Sequence, residues 1–199
     1  MVHHSVLFYV CLIGVVALGI KIYMDSDEFQ LKCVISSKDG NRYCVREREK
    51  LELAANLLAE VTSKMKEMVA YMQRVHPEDP RTQRLVAGFN PQRINETLPT
   101  SELTAFSENK GEKLAFCLNK TKKETSRLID LQTLTFVALH ELSHIMTSSV
   151  GHHQDFWQNF KWLLENAKAA GIYDPVDYKH HPTPYCGMTI SDNPYFDLA

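Results

Sequence analysis

The stretch His140-Glu141-Leu142-Ser143-His144, continued by Gly151-His152-His153-Gln154-Asp155-Phe156-Trp157, constrains this 199-residue chain more than any other. On an α-helix, where one turn takes 3.6 residues, two histidines four apart share a face one turn from each other. Their imidazoles then stand close enough to hold one metal ion. Two ligands leave zinc short of a first shell, so a third protein ligand is needed, with a fourth position left for water. His152 and His153 are the candidates, because a chain reversal at Gly151 brings the head of the next helix back over the His140–His144 face. Glu141, beside the first histidine, is not expected to ligate. It is placed to take a proton from an activated water and return it to a leaving amine. Zinc there lowers the water's pKa and polarises the scissile carbonyl. The plain alternatives are a surface helix with incidental histidines, or a closed structural zinc site, which has little use for Glu141.

The periodicity around this stretch predicts mostly helix. Asp130 is an N-cap for a helix whose buried stripe is Leu134, Val137, Ala138, Ile145 and Met146, ending near Ser148 to Gly151. A second helix runs from about Gln154 to Ala170, with Gly171 as its terminator. Upstream, Leu51, Ala54, Leu58, Val61, Met65, Met68 and Met72 recur at three- and four-residue steps, which predicts a scaffold helix over 47–74. His76-Pro77 and Asp79-Pro80 end it, and 81–105 reads as loop with a short helix or two. Asn109-Lys110-Gly111 signals a turn, and Lys113 to Leu118 reads as a hairpin or edge strand able to pair with an extended peptide. The tail from Tyr173 looks irregular. In it, Tyr178 and Tyr185 are candidates to donate a hydrogen bond to a developing oxyanion, with packing as the alternative role. His180-His181 reads as a solvated pair.

The N-terminus is of another kind. Val6 to Ile20 carries no charge, and only Lys21 interrupts the apolar run before Met24. As a helix, Val6 to Met24 spans roughly 28 Å, near the thickness of a bilayer's hydrocarbon core. Lys21 can snorkel, and Tyr23 suits the interface. A secretory signal is the rival reading, with Ala17-Leu18-Gly19 as a weak cleavage site, although no Lys or Arg precedes the run. A buried helix is the third, and apolar residues on every face disfavour it. Asp25, Asp27 and Glu28 follow Lys21, so neither flank sets an orientation by excess Lys or Arg.

The net charge of −2 gives no basic field for nucleic acid, and the cluster Lys120 to Lys123 is too short to change that. Five cysteines form no CxxC pair, which argues against a zinc knuckle. Cys33 and Cys44 bracket a loop turned at Asp39-Gly40 and can close a disulfide in an oxidising space; Cys117 and Cys186 read as unpaired.

The string HELSH…GHHQDFW resembles the WLM and SprT-like zinc metalloproteases, in which HExxH is followed by a short loop and a histidine four residues before an aromatic. Here that histidine is His152, with Phe156 four residues on. NKGEKLAFCL, residues 109–118, resembles the WLM strand that precedes the active-site helix. The likeness covers about residues 45 to 170, and with the tail YCGMTISDNPYF the chain is also similar to compact metallopeptidases of this type from large DNA viruses. The resemblance implies His140, His144 and His152 as ligands of one Zn2+, with His153 as the alternative third ligand. It implies Glu141 as general base and a polypeptide as substrate. Relatives act on proteins, notably proteins crosslinked to DNA. The chain departs from them in a longer histidine loop, in lacking a recognisable ubiquitin-like module, and in its apolar opening.

The resulting expectation is an α+β fold. A zincin-like metallopeptidase domain over 45–199 follows an N-terminal transmembrane anchor (1–25) and a linker or small loop (26–44). Anchored through residues 6–24, it would sit in a virion or host internal membrane. Two other classes stay open. One is a membrane-anchored structural or assembly protein that keeps the zinc fold without turnover. The other is a protease of DNA-crosslinked proteins, which the near-neutral charge and the anchor disfavour.

Overall fold

A computed structural model describes residues 2–26, 30–122 and 127–197. Asp27, Glu28 and Lys123 lie outside the described residues. The fold is α+β, with one N-terminal apolar helix, four further α-helices, a short 3-10 helix at Pro194–Phe196 and three small sheets among the described residues.

Helix α1 (Val2–Asp25) carries the apolar run, and Val6–Met24 is exposed along its whole length. It is long and apolar enough to cross a membrane, as an anchor or as a signal sequence. Strands β1 (Leu31–Ile35) and β2 (Arg42–Arg46) form an antiparallel hairpin in which Cys33 pairs with Cys44 and is disulfide-bonded to it.

Helix α2 (Leu51–Val75) buries Ala54, Leu58, Val61, Met65, Met68 and Met72, the stripe that the spacing predicts. Helix α3 (Pro80–Gly88) begins where sequence predicted a stop for the one before it. Proline suits a first turn because the missing N–H had no partner there. Asp79 caps it by accepting from the backbone N–H of Arg81 at 2.8 Å, and its carboxylate also holds the Arg81 guanidinium. The Arg81 hydrogen bonds hold the Asp79 pKa down at about 2, against an ordinary 3.8. Asp79→Ala is expected to cost about 1 kcal/mol in urea unfolding at neutral pH. A carboxylate with a depressed pKa stabilises above its unfolded value and stops doing so as pH falls through its folded one. The gap between variant and wild type should therefore close from pH 4 towards pH 2; a gap unchanged at pH 2 would refute the cap's charge contribution.

Strands β3 (Ile94–Glu96), β4 (Ala105–Glu108) and β5 (Lys113–Phe116) form the largest sheet, in the order β3-β5-β4. β5 is parallel to β3 and antiparallel to β4, with Phe106 opposite Ala115 and Ile94 opposite Leu114. The strand at 113–118 is thus central, not the edge that the sequence suggested; Leu114 to Leu118 are all buried. The exposed edge is β4. The turn between them is packed backbone against backbone. A Cβ on Gly88 would lie 2.4 Å from the Lys110 carbonyl oxygen, and one on Gly111 (φ +105°) would lie 2.4 Å from that of Gly88.

Helices α4 (Leu131–Met146) and α5 (Gln154–Ala169) complete the core. Asp130 caps α4 through the Thr133 N–H at 2.8 Å. The tail is more ordered than its composition suggested. Strands β6 (Thr183–Tyr185) and β7 (Met188–Ile190) form a hairpin turned at Cys186 and Gly187, both with positive φ, as a two-residue turn of primed type requires. Cys117 and Cys186 are not unpaired: a disulfide joins them across 69 residues and ties this hairpin to the end of β5. Spacing over such a distance carries no pairing information.

Candidate metal centre

Helix α4 presents His140 and His144 on one face, one turn apart. Beyond its C-terminus the chain reverses through Gly151 (φ +93°), and His152 returns to the same point. Six hydrogen bonds from four side chains hold this loop. The Lys110 ammonium donates to the carbonyls of His144, Thr147 and Ser149 at 3.1, 2.7 and 2.6 Å, occupying the helix end where a cation is favoured. Asn159 donates to the Thr147 hydroxyl at 2.9 Å, and the Ser149 hydroxyl donates to Asp155 at 2.6 Å. Thr147 in turn donates to the Ser143 carbonyl at 2.7 Å.

The three imidazoles converge through nitrogen atoms. His140 Nε2 lies 3.2 Å from His144 Nε2 and 2.9 Å from His152 Nε2. One ligand atom from each of the three falls within 4.8 Å of the others, so the group could hold a metal ion. Nitrogens about 2.0–2.1 Å from a tetrahedral zinc stand roughly 3.3 Å apart, close to these separations. The chemistry of the set also fits. Burial first, then the neighbouring histidines, pulls the His140 pKa down to about 3. Burial, His152 and Lys110 pull that of His144 to about 4, and burial lowers His152. Neutral imidazoles are the ligating form. Aromatic rings fix their planes: Phe156 stacks on His144 at 4.3 Å and Trp157 on His152 at 5.6 Å between centroids.

Glu141 is 4% exposed, and its Oε2 has no hydrogen-bond partner among the described residues. Burial alone pushes its pKa up to about 8. A buried, unpartnered carboxyl is costly, and such sites are where function concentrates. His140, Glu141 and His144 form the floor of a cleft of about 1450 Å³. The β4 edge from Thr104 to Ser107 lines it, as does β7 with Ser191 and Asp192, and the two meet where Thr104 touches Met188. Phe136, Val137 and Phe160 supply apolar lining.

The remaining sequence candidates fall elsewhere. His153 is exposed at the N-cap of α5 and is outside the imidazole group. Tyr178 is buried against Phe136, 4.9 Å between centroids, and does not line the cleft. Tyr185 does line it, but its hydroxyl donates to the Thr104 carbonyl at 3.1 Å. Burial and nearby Glu141 both raise the Tyr185 pKa, which keeps that proton in place. His180 is paired with Asp177 on the surface. Lys110 was missed by sequence reasoning, although the turn signal at 109–111 marked its position.

The WLM domain model matches residues 44–183. The uncharacterized protein R325 of Acanthamoeba polyphaga mimivirus is 26% identical over 186 residues, which is 92% of this chain and 93% of that one. The uncharacterized protein 136R of Invertebrate iridescent virus 6 is 36% identical over 70 residues, 35% of this chain and 39% of that protein. Protein 042R of Invertebrate iridescent virus 3, also uncharacterized, is 39% identical over 64 residues, 32% and 39% of the two chains. No solved structure matches. A model spanning most of the domain, over the residues that build the histidine cluster and the cleft, places the chain in the WLM family, a SprT-like zinc protease family.

Proposed function

We propose that this protein is a zinc-dependent endopeptidase. The observation that supports it best is the convergence of His140, His144 and His152 beside the unpartnered carboxyl of Glu141, on the floor of a cleft walled by an open strand edge. A zinc ion held by the three imidazoles would lower the pKa of water and polarise a peptide carbonyl. The other parts fall to the chain's own residues. The β4 edge offers unpaired backbone groups, so an extended polypeptide can add to the sheet as a further strand. Glu141 accepts the proton of the attacking water at its carboxylate and delivers it to the departing amide nitrogen. A carboxyl raised by burial and brought down beside a cation is suited to both transfers. Tyr185 steadies the cleft wall through Thr104 rather than donating to the oxyanion.

Elemental analysis of the purified full chain tests the ligand set. Wild type and His153→Ala should hold about one zinc per chain, and His152→Ala should lose most of it, since three protein ligands define such a site. Zinc retained in full by His152→Ala, or none in folded wild type, would overturn the assignment.

A further inference from the structure

The C-terminal end of α1 is hydrogen-bonded to the domain that follows it. The Met24 carbonyl accepts from the Thr100 hydroxyl at 3.0 Å, and Gln30 donates to the carbonyls of Tyr23 and Met24. A continuous patch begins there. Lys122 donates to the carbonyls of Ser101 and Glu102. Next to them Leu103 is 57% exposed. The Thr104 hydroxyl meets the Met188 sulfur at 3.6 Å, and Met188 is 49% exposed. The N–H of Gly187 donates to the Lys120 carbonyl at 2.9 Å, so Lys120, itself exposed, flanks the hairpin turn. Two large apolar side chains, each about half exposed, with Lys120 and Lys122 beside them, thus lie along the stretch that runs on from the Thr100–Met24 contact. Glu102 is exposed in the same stretch.

We infer that this patch rests on the bilayer surface, with Leu103 and Met188 entering the headgroup–acyl boundary and Lys120 and Lys122 meeting anionic headgroups. An apolar insertion flanked by lysines is how surface segments bind lipid. The anchor's end, hydrogen-bonded into the patch, holds it there at high effective concentration. Glu102, Leu103, Thr104 and Met188 also line one end of the cleft, which therefore opens at the membrane surface. The polypeptides it receives are then segments lying on or emerging from the same bilayer. The inference rests on α1 spanning a membrane, and its substrate corollary on the proposed peptidase activity.

Depth-dependent quenching tests it. The full chain with Cys11→Ser is placed in phosphatidylcholine–phosphatidylserine vesicles; the other four cysteines are held in disulfides. A fluorophore goes on a single added cysteine at Val16, Leu103, Met188 or Glu78. Glu78 lies past the far end of α2, roughly 37 Å from the end that starts near Arg46, whose guanidinium donates to the Lys122 carbonyl. Brominated lipid should quench the Val16 label strongly, those at Leu103 and Met188 about half as much, and that at Glu78 hardly at all. Strong quenching at Val16 with Leu103 and Met188 no higher than Glu78 would overturn the inference while leaving the anchor intact. No quenching at Val16 would remove the anchor and the inference together.

Discussion

Glu141→Gln is expected to lower kcat/KM by about a thousandfold while about one zinc stays bound, because a general base contributes typically 10²–10⁴ to rate. The substitution keeps shape and removes the proton acceptor. Imidazoles alone hold the metal in the proposed site, so metal content should not follow activity. The same variant makes a second, opposite mark on stability. In the metal-free chain Glu141 has its pKa raised to about 8 by burial, against an ordinary 4.5. Between those values the folded state binds more protons than the unfolded, so folding weakens as pH rises through that range. A glutamine carries no such penalty. With zinc chelated, Glu141→Gln should be more stable than wild type at pH 8, by an amount that shrinks towards pH 4.5. Loss of activity with loss of zinc would point to a structural fault instead. Undiminished turnover in the zinc-loaded variant would end the assignment of Glu141.

The second large effect lies under the cleft. Glu96, on β3, has a fully buried side chain that accepts from the guanidinium of Arg48 and from the backbone N–H of Arg46 at 2.7 Å. Arg46 is otherwise satisfied by the Thr97 carbonyl and hydroxyl at 2.7 and 2.8 Å and by the Leu98 carbonyl at 3.0 Å. Arg48 has less: Asn119 at 3.0 Å and the Arg46 carbonyl at 3.2 Å. Glu96→Ala leaves that guanidinium buried without its counter-charge, a loss of about 3–5 kcal/mol. Chemical denaturation should show it as a lower midpoint. A change under about 1 kcal/mol would mean that water reaches Arg48 and that the network is not sealed.

Much of the helical frame was legible in the chain because helical spacing reports directly on the buried face. The stripe from Ala54 to Met72, the cap at Asp130 and the reversal at Gly151 are local features with local causes. The two histidines of α4 could be read the same way; the residues alone left His152 and His153 both open, and it was the resemblance to the WLM pattern, with Phe156 four residues on, that pointed to His152, whose ring lies with the other two. What escaped was non-local. Lys113 to Leu118 reads as a hairpin or an edge strand; the hairpin with β4 is there, but the strand is central, as its apolar run, covered on both faces, allows. The half-exposed β4, whose pattern is less apolar, took the edge instead. The Cys117–Cys186 link and the reach of Lys110 to three carbonyls depend on chain crossings that no window of sequence contains.

The tie between Cys117 and Cys186 has a consequence at the bench. It fastens the hairpin that lines part of the cleft, and Tyr185, one residue from the bridge, donates to the Thr104 carbonyl beside the β4 edge. Buffers that contain thiol reductants, routine when proteins with cysteines are purified, would cut that fastening and leave the hairpin held by the Tyr185–Thr104 hydrogen bond and the backbone hydrogen bonds from Cys186 and Gly187 to the Asn119 and Lys120 carbonyls. A sample handled in such a buffer lacks the covalent tie between the hairpin and the end of β5 that one kept oxidised retains. Inactivity recorded there describes the reduced protein only, and air-oxidised preparations without chelator are the proper starting material.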